Sequence, residues 1–271
     1  MTRRGRLAGA VFSMEIRRMF AYRTDFWIQF AGSFLAQFVV AFFLWRSIFV
    51  LRGADAIGSY TFRGMMLYYL LVPIIGRATR GVSMGNLAHD IYEGTLTRYL
   101  IYPVSVLGFK FMTHLAYTAV FLAQGVALML LYYALFGAGG ETVAGPAEIA
   151  MGLAAVLVAT ALHFIMISAI ELTAFWADNV WSLVAIVHFI TGLLGGGMLP
   201  LELFPDRMQA VMEWLPFAYL YNFPARCLMG RVAVGEWATG MSTAIAWGLL
   251  LAVVYAAVWR RGMFKYTGVG I

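Results

Sequence analysis

The chain has 271 residues, of which 62% are hydrophobic and 12% charged, with a net charge of +6. A water-soluble domain runs nearer half apolar and a quarter charged, so these proportions exclude a single soluble core and place the protein in a lipid bilayer. Its basic residues are almost all arginine, Lys110 and Lys265 being the only lysines; in a membrane chain such charge records loop orientation and contact with anionic lipids rather than nucleic-acid binding. The single Cys227 excludes an internal disulfide framework.

Residues 1–25 read as a cytoplasmic N-terminal segment. Arg3, Arg4 and Arg6 precede a short apolar stretch that Glu15, Arg17 and Arg18 soon interrupt, without a small-residue cleavage site, so no signal peptide is expected. From Val11 to Arg23, Phe12, Ile16, Met19 and Phe20 repeat at helical spacing, with Glu15, Arg17 and Arg18 taken to lie elsewhere on the wheel. This predicts an interfacial amphipathic helix; the alternative is an extension of the first span.

Residues 26–271 carry the spans. Uncharged runs of 20, 30, 22, 23 and 23 residues separate Asp25 from Arg46, Lys110 from Glu141, Glu148 from Glu171, Asp178 from Glu202 and Glu236 from Arg260. Each is long enough for a helix to cross the ~30 Å hydrocarbon core. A sixth run, between Arg63 and Arg77, has only 13 residues. If it crosses, 13 basic residues fall on the inner side and 5 on the outer; if it does not, the same residues divide 9 and 9. Basic residues near spans favour the cytoplasmic face, so the biased division is preferred. The expectation is an all-α integral membrane protein with both termini cytoplasmic and six transmembrane helices, at about 26–46, 60–80, 111–137, 149–171, 179–199 and 237–259.

Two connections stand out. In the inner loop from Gly76 to Lys110, Ser83 is placed to cap a short helix with Met84, Leu87 and Ile91 on one face and Gly94 at its end. With Asp90 and Glu93 it suits docking on a protein; lying on the membrane surface is the alternative. On the outer side, Pro200, Pro205, Pro216 and Pro224 punctuate apolar pieces too short to cross. A re-entrant helical hairpin and a helix flat on the headgroups fit this segment equally.

Tests for chemistry are mostly negative. Neither lysine lies in a phosphate-binding glycine loop. Gly81-Val82-Ser83-Met84-Gly85 matches G-x-S-x-G but follows a membrane helix rather than a strand, leaving a membrane serine hydrolase as a minor alternative. His89, His114, His163 and His188 form no close metal pair, so no metal site is expected. An ion-coupled secondary transporter is the main competing reading, although such carriers would carry more buried carboxylates. Gln29, Ser33 and Gln37 recur every four residues on the first span, and His188, Thr191, Gly192 and Gly195 share a face of the fifth. These stripes read either as the lining of a transport path or subunit seam, or as ordinary helix packing.

The chain resembles the permease subunits of type-2 ABC transporters. The resemblance rests on MEIRRMFAYRTDFW (Met14 to Trp27), DIYEGTLTRYLIYPVS (Asp90 to Ser105) and LPLELFPDRMQAVMEWLPFAYLYNFP (Leu199 to Pro224). It implies a permease in a prokaryotic cytoplasmic membrane, exporting an amphiphilic small molecule, peptide or lipid. It further implies association with a cytosolic ABC ATPase dimer and a second permease subunit, identical or related, among membrane lipids. This chain would bind no cofactor, ATP and magnesium being held by the ATPase. The helix bearing Leu87, Asp90, Ile91, Glu93 and Gly94 would be the coupling helix. Gln29, Ser33, Gln37, His188 and Thr191 would lie near the path by their position in the fold, and the hairpin with Pro205, Pro216 and Phe217 would form an outer gate.

Overall fold

The computed structural model describes residues 3–21, 23–81, 86–136, 144–177 and 179–267. The helices among them are α1 (Arg3–Ala21), α2 (Arg23–Arg52), α3 (Phe62–Arg80), α4 (Asn86–Tyr92), α5 (Thr97–Leu100), α6 (Val106–Phe136), α7 (Pro146–Glu171), α8 (Trp181–Leu194), α9 (Asp206–Trp214), α10 (Asn222–Leu228) and α11 (Val234–Met263). A minimal antiparallel hairpin, β1 (Ala56–Ile57) and β2 (Tyr60–Thr61), joins α2 to α3.

Four stretches are long and apolar enough to cross a membrane: Phe34–Arg52, Val106–Tyr132, Pro146–Phe175 and Val234–Met263. The third is the axis of the bundle, with 61% of its most apolar window buried, against 11% for the first and last, whose sides remain open to lipid. α11 and α10 pack along α7, and α3 packs on α2, α6 and α7. Glycines permit the closest approaches: a methyl at Gly240 of α11 would fall on the Phe223 ring of α10, and one at Gly125 of α6 on Ile74 of α3. Small residues of this kind let helix backbones meet in a membrane, where hydrophobic expulsion gives no drive.

α3 explains its own weak hydropathy signal. Its 19 residues measure about 28 Å at 1.5 Å each, and nearly every side chain from Gly64 to Thr79 is buried. A helix enclosed by protein on all sides needs no long uncharged surface for lipid. Thr61 caps it, accepting from the Gly64 N–H at 3.1 Å, so the helix begins two residues later than the expected 60–80.

α8 departs further from expectation. The sequence predicts a span over 179–199, whereas the helix covers Trp181–Leu194, about 21 Å by its rise. Gly195–Gly197 end it, with Gly196 at φ +83°, a conformation open to glycine and strained for other residues.

α1 also differs. It starts at Arg3 rather than near Val11, and packs on α6. Glu15 and Met19 are buried, Phe12 and Ile16 half-buried, and Phe20 exposed. The i, i+3, i+4, i+7 spacing puts Glu15 on the same face as Phe12, Ile16 and Met19, correcting its assignment to the polar side.

Candidate coupling and transport sites

α4 is tied to several distant parts of the chain. Leu87 and Ile91 turn inward, 2% and 1% exposed, into a cluster with Leu172, Phe175, Val180 and Tyr255. The Leu87 N–H donates to Glu171 Oε2 at the end of α7 (2.9 Å). The Tyr92 hydroxyl donates to the Ala177 carbonyl and accepts from the Val180 N–H, both at 3.0 Å. The apolar ridge is therefore consumed inside the chain.

Asp90 also points inward. It is 3% exposed, pairs with Lys110 of α6 and, at 3.0 Å, with Arg98, and accepts from the Thr95 hydroxyl at 2.8 Å. A buried carboxylate persists only where such partners satisfy it. The Gly-Thr-Leu sequence that follows is shaped by this knot. Gly94 turns the chain at φ +67°, Thr95 reaches back to Asp90, and Leu96 is fully buried. Tyr266, beyond α11, closes the arrangement by donating to the Gly94 carbonyl at 2.6 Å. On α4 and the adjoining turn, His89 and Glu93 are exposed, followed by an apolar strip in which Leu100, Ile101 and Tyr102 are 43%, 78% and 47% exposed.

A second polar group sits among α6, α7 and α8. The His163 and His188 rings lie 5.5 Å apart. His188 Nδ1 is 2.8 Å from the Val184 carbonyl, which makes it the protonated nitrogen and leaves Nε2 an acceptor without a partner. Both nitrogens of His163 and the Thr191 hydroxyl are likewise buried without a hydrogen-bond partner.

At the hairpin end, Glu202 is the centre of a network. It accepts from Tyr60 and Asn222, each at 3.2 Å, and pairs with Arg226 at 3.1 Å, which in turn reaches Glu236 at 2.9 Å. Because Asn222 Nδ2 donates to Glu202, its Oδ1 must face the other way, where the Tyr68 hydroxyl approaches at 2.9 Å. Tyr68 also reaches the Gly196 carbonyl at 2.7 Å. Tyr68 lies nearly two turns inside α3, so the glycine turn after α8 and the start of α10 meet well below the end of that helix.

The family described as ABC-2 family transporter protein matches residues 35–270. The chain belongs to that family. No curated protein and no solved structure matches it. Membership makes it a membrane permease of an ABC transporter and implies association with an ABC ATPase.

Against this ABC-2 frame, the residues singled out from sequence fall into separate groups. Leu87, Asp90, Ile91, Glu93 and Gly94 do come together, but only Glu93 is exposed. His188 and Thr191 lie on one helix beside His163. Gln37 is exposed on α2, which packs mainly on α3 and α1, whereas α8 packs mainly on α7 and residues 216–219, so the main packing contacts do not bring Gln37 to the α8 face. The side chains of Gln29 and Ser33, and residues Ser83, Met84 and Asp178, lie outside the described residues. In the expected gate, Pro205 is exposed, Pro216 buried and Phe217 half-buried. Sequence reasoning missed Glu202 and Arg226, whose ion pair joins two short elements 24 residues apart, and Arg80, whose direction only the fold reveals.

Proposed function

We propose that the chain is the transmembrane subunit of an ATP-driven exporter of amphiphilic solutes in a prokaryotic cytoplasmic membrane, crossing it six times with both termini inside. In this reading α2, α3, α6, α7, α8 and α11 are the crossings, and the segment from Gly195 to Leu228 dips into the outer leaflet. The short α8 and the contact of Gly196 and Asn222 with Tyr68 support that dip. Two permease subunits, identical or related, would face two cytosolic ATPase subunits that hold ATP and magnesium. Gln29, Ser33, Gln37, His188 and Thr191 are proposed to lie near the solute path, and Pro205, Pro216 and Phe217 at its outer end.

The observation that carries the mechanism is the wiring of α4 into α6 through Lys110, into α7 through Glu171, into the α7–α8 connection through Tyr92 and into the C-terminal segment through Tyr266. A push on α4 is transmitted by packed groups that move together. The contact surface proposed for the ATPase is Glu93, His89 and the strip from Leu100 to Tyr102. Leu87, Asp90, Ile91 and Gly94 shape it from behind.

The double variant Glu93→Arg, Ile101→Asp tests this. Both side chains are exposed, so the fold should be kept while co-purification of the ABC ATPase and ATP-dependent transport are lost. Full ATP-dependent transport by the double variant would overturn the assigned surface. Gradient-driven flux by the purified chain alone would favour the secondary-transporter reading.

A further inference from the structure

Arginines at the ends of buried helices ordinarily extend outward to water. Arg80, the last residue of α3, does the reverse. Its Nε donates to the Gly76 carbonyl one turn back at 3.1 Å, and its guanidinium carbon lies 6.0 Å from the centre of the Tyr221 ring. The charge thus sits roughly 5 Å inward of the helix end, and among the described residues no carboxylate pairs with it. Arg80 is exposed and lines a cavity of about 250 Å³ among α1, α3, α4, α6 and α7.

The cavity has further unused polar capacity. Thr113 lines it with an unpartnered hydroxyl, and His163, 2% exposed, lines it with ring nitrogens that make no close hydrogen bond although the Thr79 backbone lies near enough to interact. Of the carboxylates on its wall, Asp90 is held by Lys110 and Arg98 and Glu171 takes the Leu87 N–H, whereas Glu15 faces Arg18 at 3.8 Å with its Oε2 making no hydrogen bond, so an anion would have to sit toward Arg80 and away from Glu15. Leu87, Phe109, Phe164 and Ile167 supply apolar wall. A cation turned back along its helix needs water or an anion to face, and buried donors without partners carry a smaller cost of the same kind.

We infer that this cavity binds the oxyanion group, phosphate or carboxylate, of an amphiphile. Arg80 supplies the charge, His163 and Thr113 supply neutral hydrogen bonds, and the apolar wall holds the first part of the tail. That this amphiphile is also the cargo rests on the permease reading above; the binding does not. The same chemistry is offered by a membrane phospholipid and by a transported solute, and the two are separated by experiment.

Equilibrium binding of radiolabelled dodecyl phosphate to the purified full chain in dodecyl maltoside is the test. Saturable binding is expected, weakened about tenfold or more in Arg80→Gln, as for loss of a close charge pair, and largely restored in Arg80→Lys. Inorganic phosphate, lacking the tail, should compete poorly, and dodecyltrimethylammonium should not compete. Equal binding by Arg80→Gln, or equal competition by the cationic amphiphile, overturns the inference; if Arg80→Gln does not fold, the competition on the unaltered chain decides. Phosphatidylglycerol that competes and remains bound during ATP turnover identifies a resident lipid, whereas ATP-driven release of dodecyl phosphate identifies cargo. Loss of ATPase co-purification with dodecyl phosphate binding intact would refute the permease assembly and leave the site standing.

Discussion

Replacing Asp90 by Asn keeps the shape of the side chain and an acceptor for Thr95 while removing the charge that Lys110 and Arg98 share. The two cations are not equivalent: the Lys110 side chain is 12% exposed and that of Arg98 58%. An exposed ion pair contributes ~0–1 kcal/mol, whereas breaking a buried one costs about 3–5 kcal/mol because the remaining charge stays desolvated. Lys110 lies near the buried extreme and retains contact with the Tyr99 ring, so a total loss of about 2–3 kcal/mol is expected for Asp90→Asn. For a chain of this size that corresponds to a fall in Tm of roughly 4–10 °C. Thermal unfolding in detergent, followed by tryptophan fluorescence, measures it. Lys110→Met in the Asp90→Asn background removes the charge that Asp90 no longer neutralises, so the double variant should be more stable than the sum of the single losses by about 1–2 kcal/mol. A shift below about 1 °C for Asp90→Asn, or strict additivity, would refute the claim that this carboxylate ties α4 to α6.

Other outcomes follow from single residues. Gly196→Ala forces a positive φ on a side chain whose Cβ would lie 2.6 Å from the Tyr68 hydroxyl; it should lower stability by about 2–3 kcal/mol, and a neutral result in the same unfolding assay would contradict the described turn. Tyr68→Phe strips the donor shared by Gly196 and Asn222, at a cost of about 1–2 kcal/mol, visible as a lower Tm. Cys227 is 1% exposed, and burial disfavours its thiolate. Since only the thiolate reacts, N-ethylmaleimide should leave Cys227 unmodified in the folded protein at pH 7.5 and at pH 9 by intact mass, and label it after denaturation. Rapid labelling of the folded chain would place Cys227 elsewhere.

Charge spacing alone located the four stretches long and apolar enough to cross, and overran a fifth, where α8 covers only Trp181–Leu194; a membrane imposes one local rule on every residue that touches lipid, the ~20-residue uncharged run. α2, α6, α7 and α11 obey that rule and were legible. α3 lacks such a run, and nearly all of it is buried among other helices; only the biased distribution of arginines made it a candidate crossing. The end of α4 at Gly94 was legible for the same local reason, a glycine after an amphipathic turn. What α4 does with its faces was not. Asp90 reads as a docking charge until Lys110, 20 residues on, is folded against it, and Arg80 reads as an outward-reaching flank until its bond to Gly76 turns it inward. Hydropathy is a property of each residue and its neighbours in sequence, whereas the direction and partner of a charge depend on groups that meet only when distant helices pack. The bilayer therefore fixed which segments are apolar, and tertiary packing decided which charges face a partner, a cavity or each other.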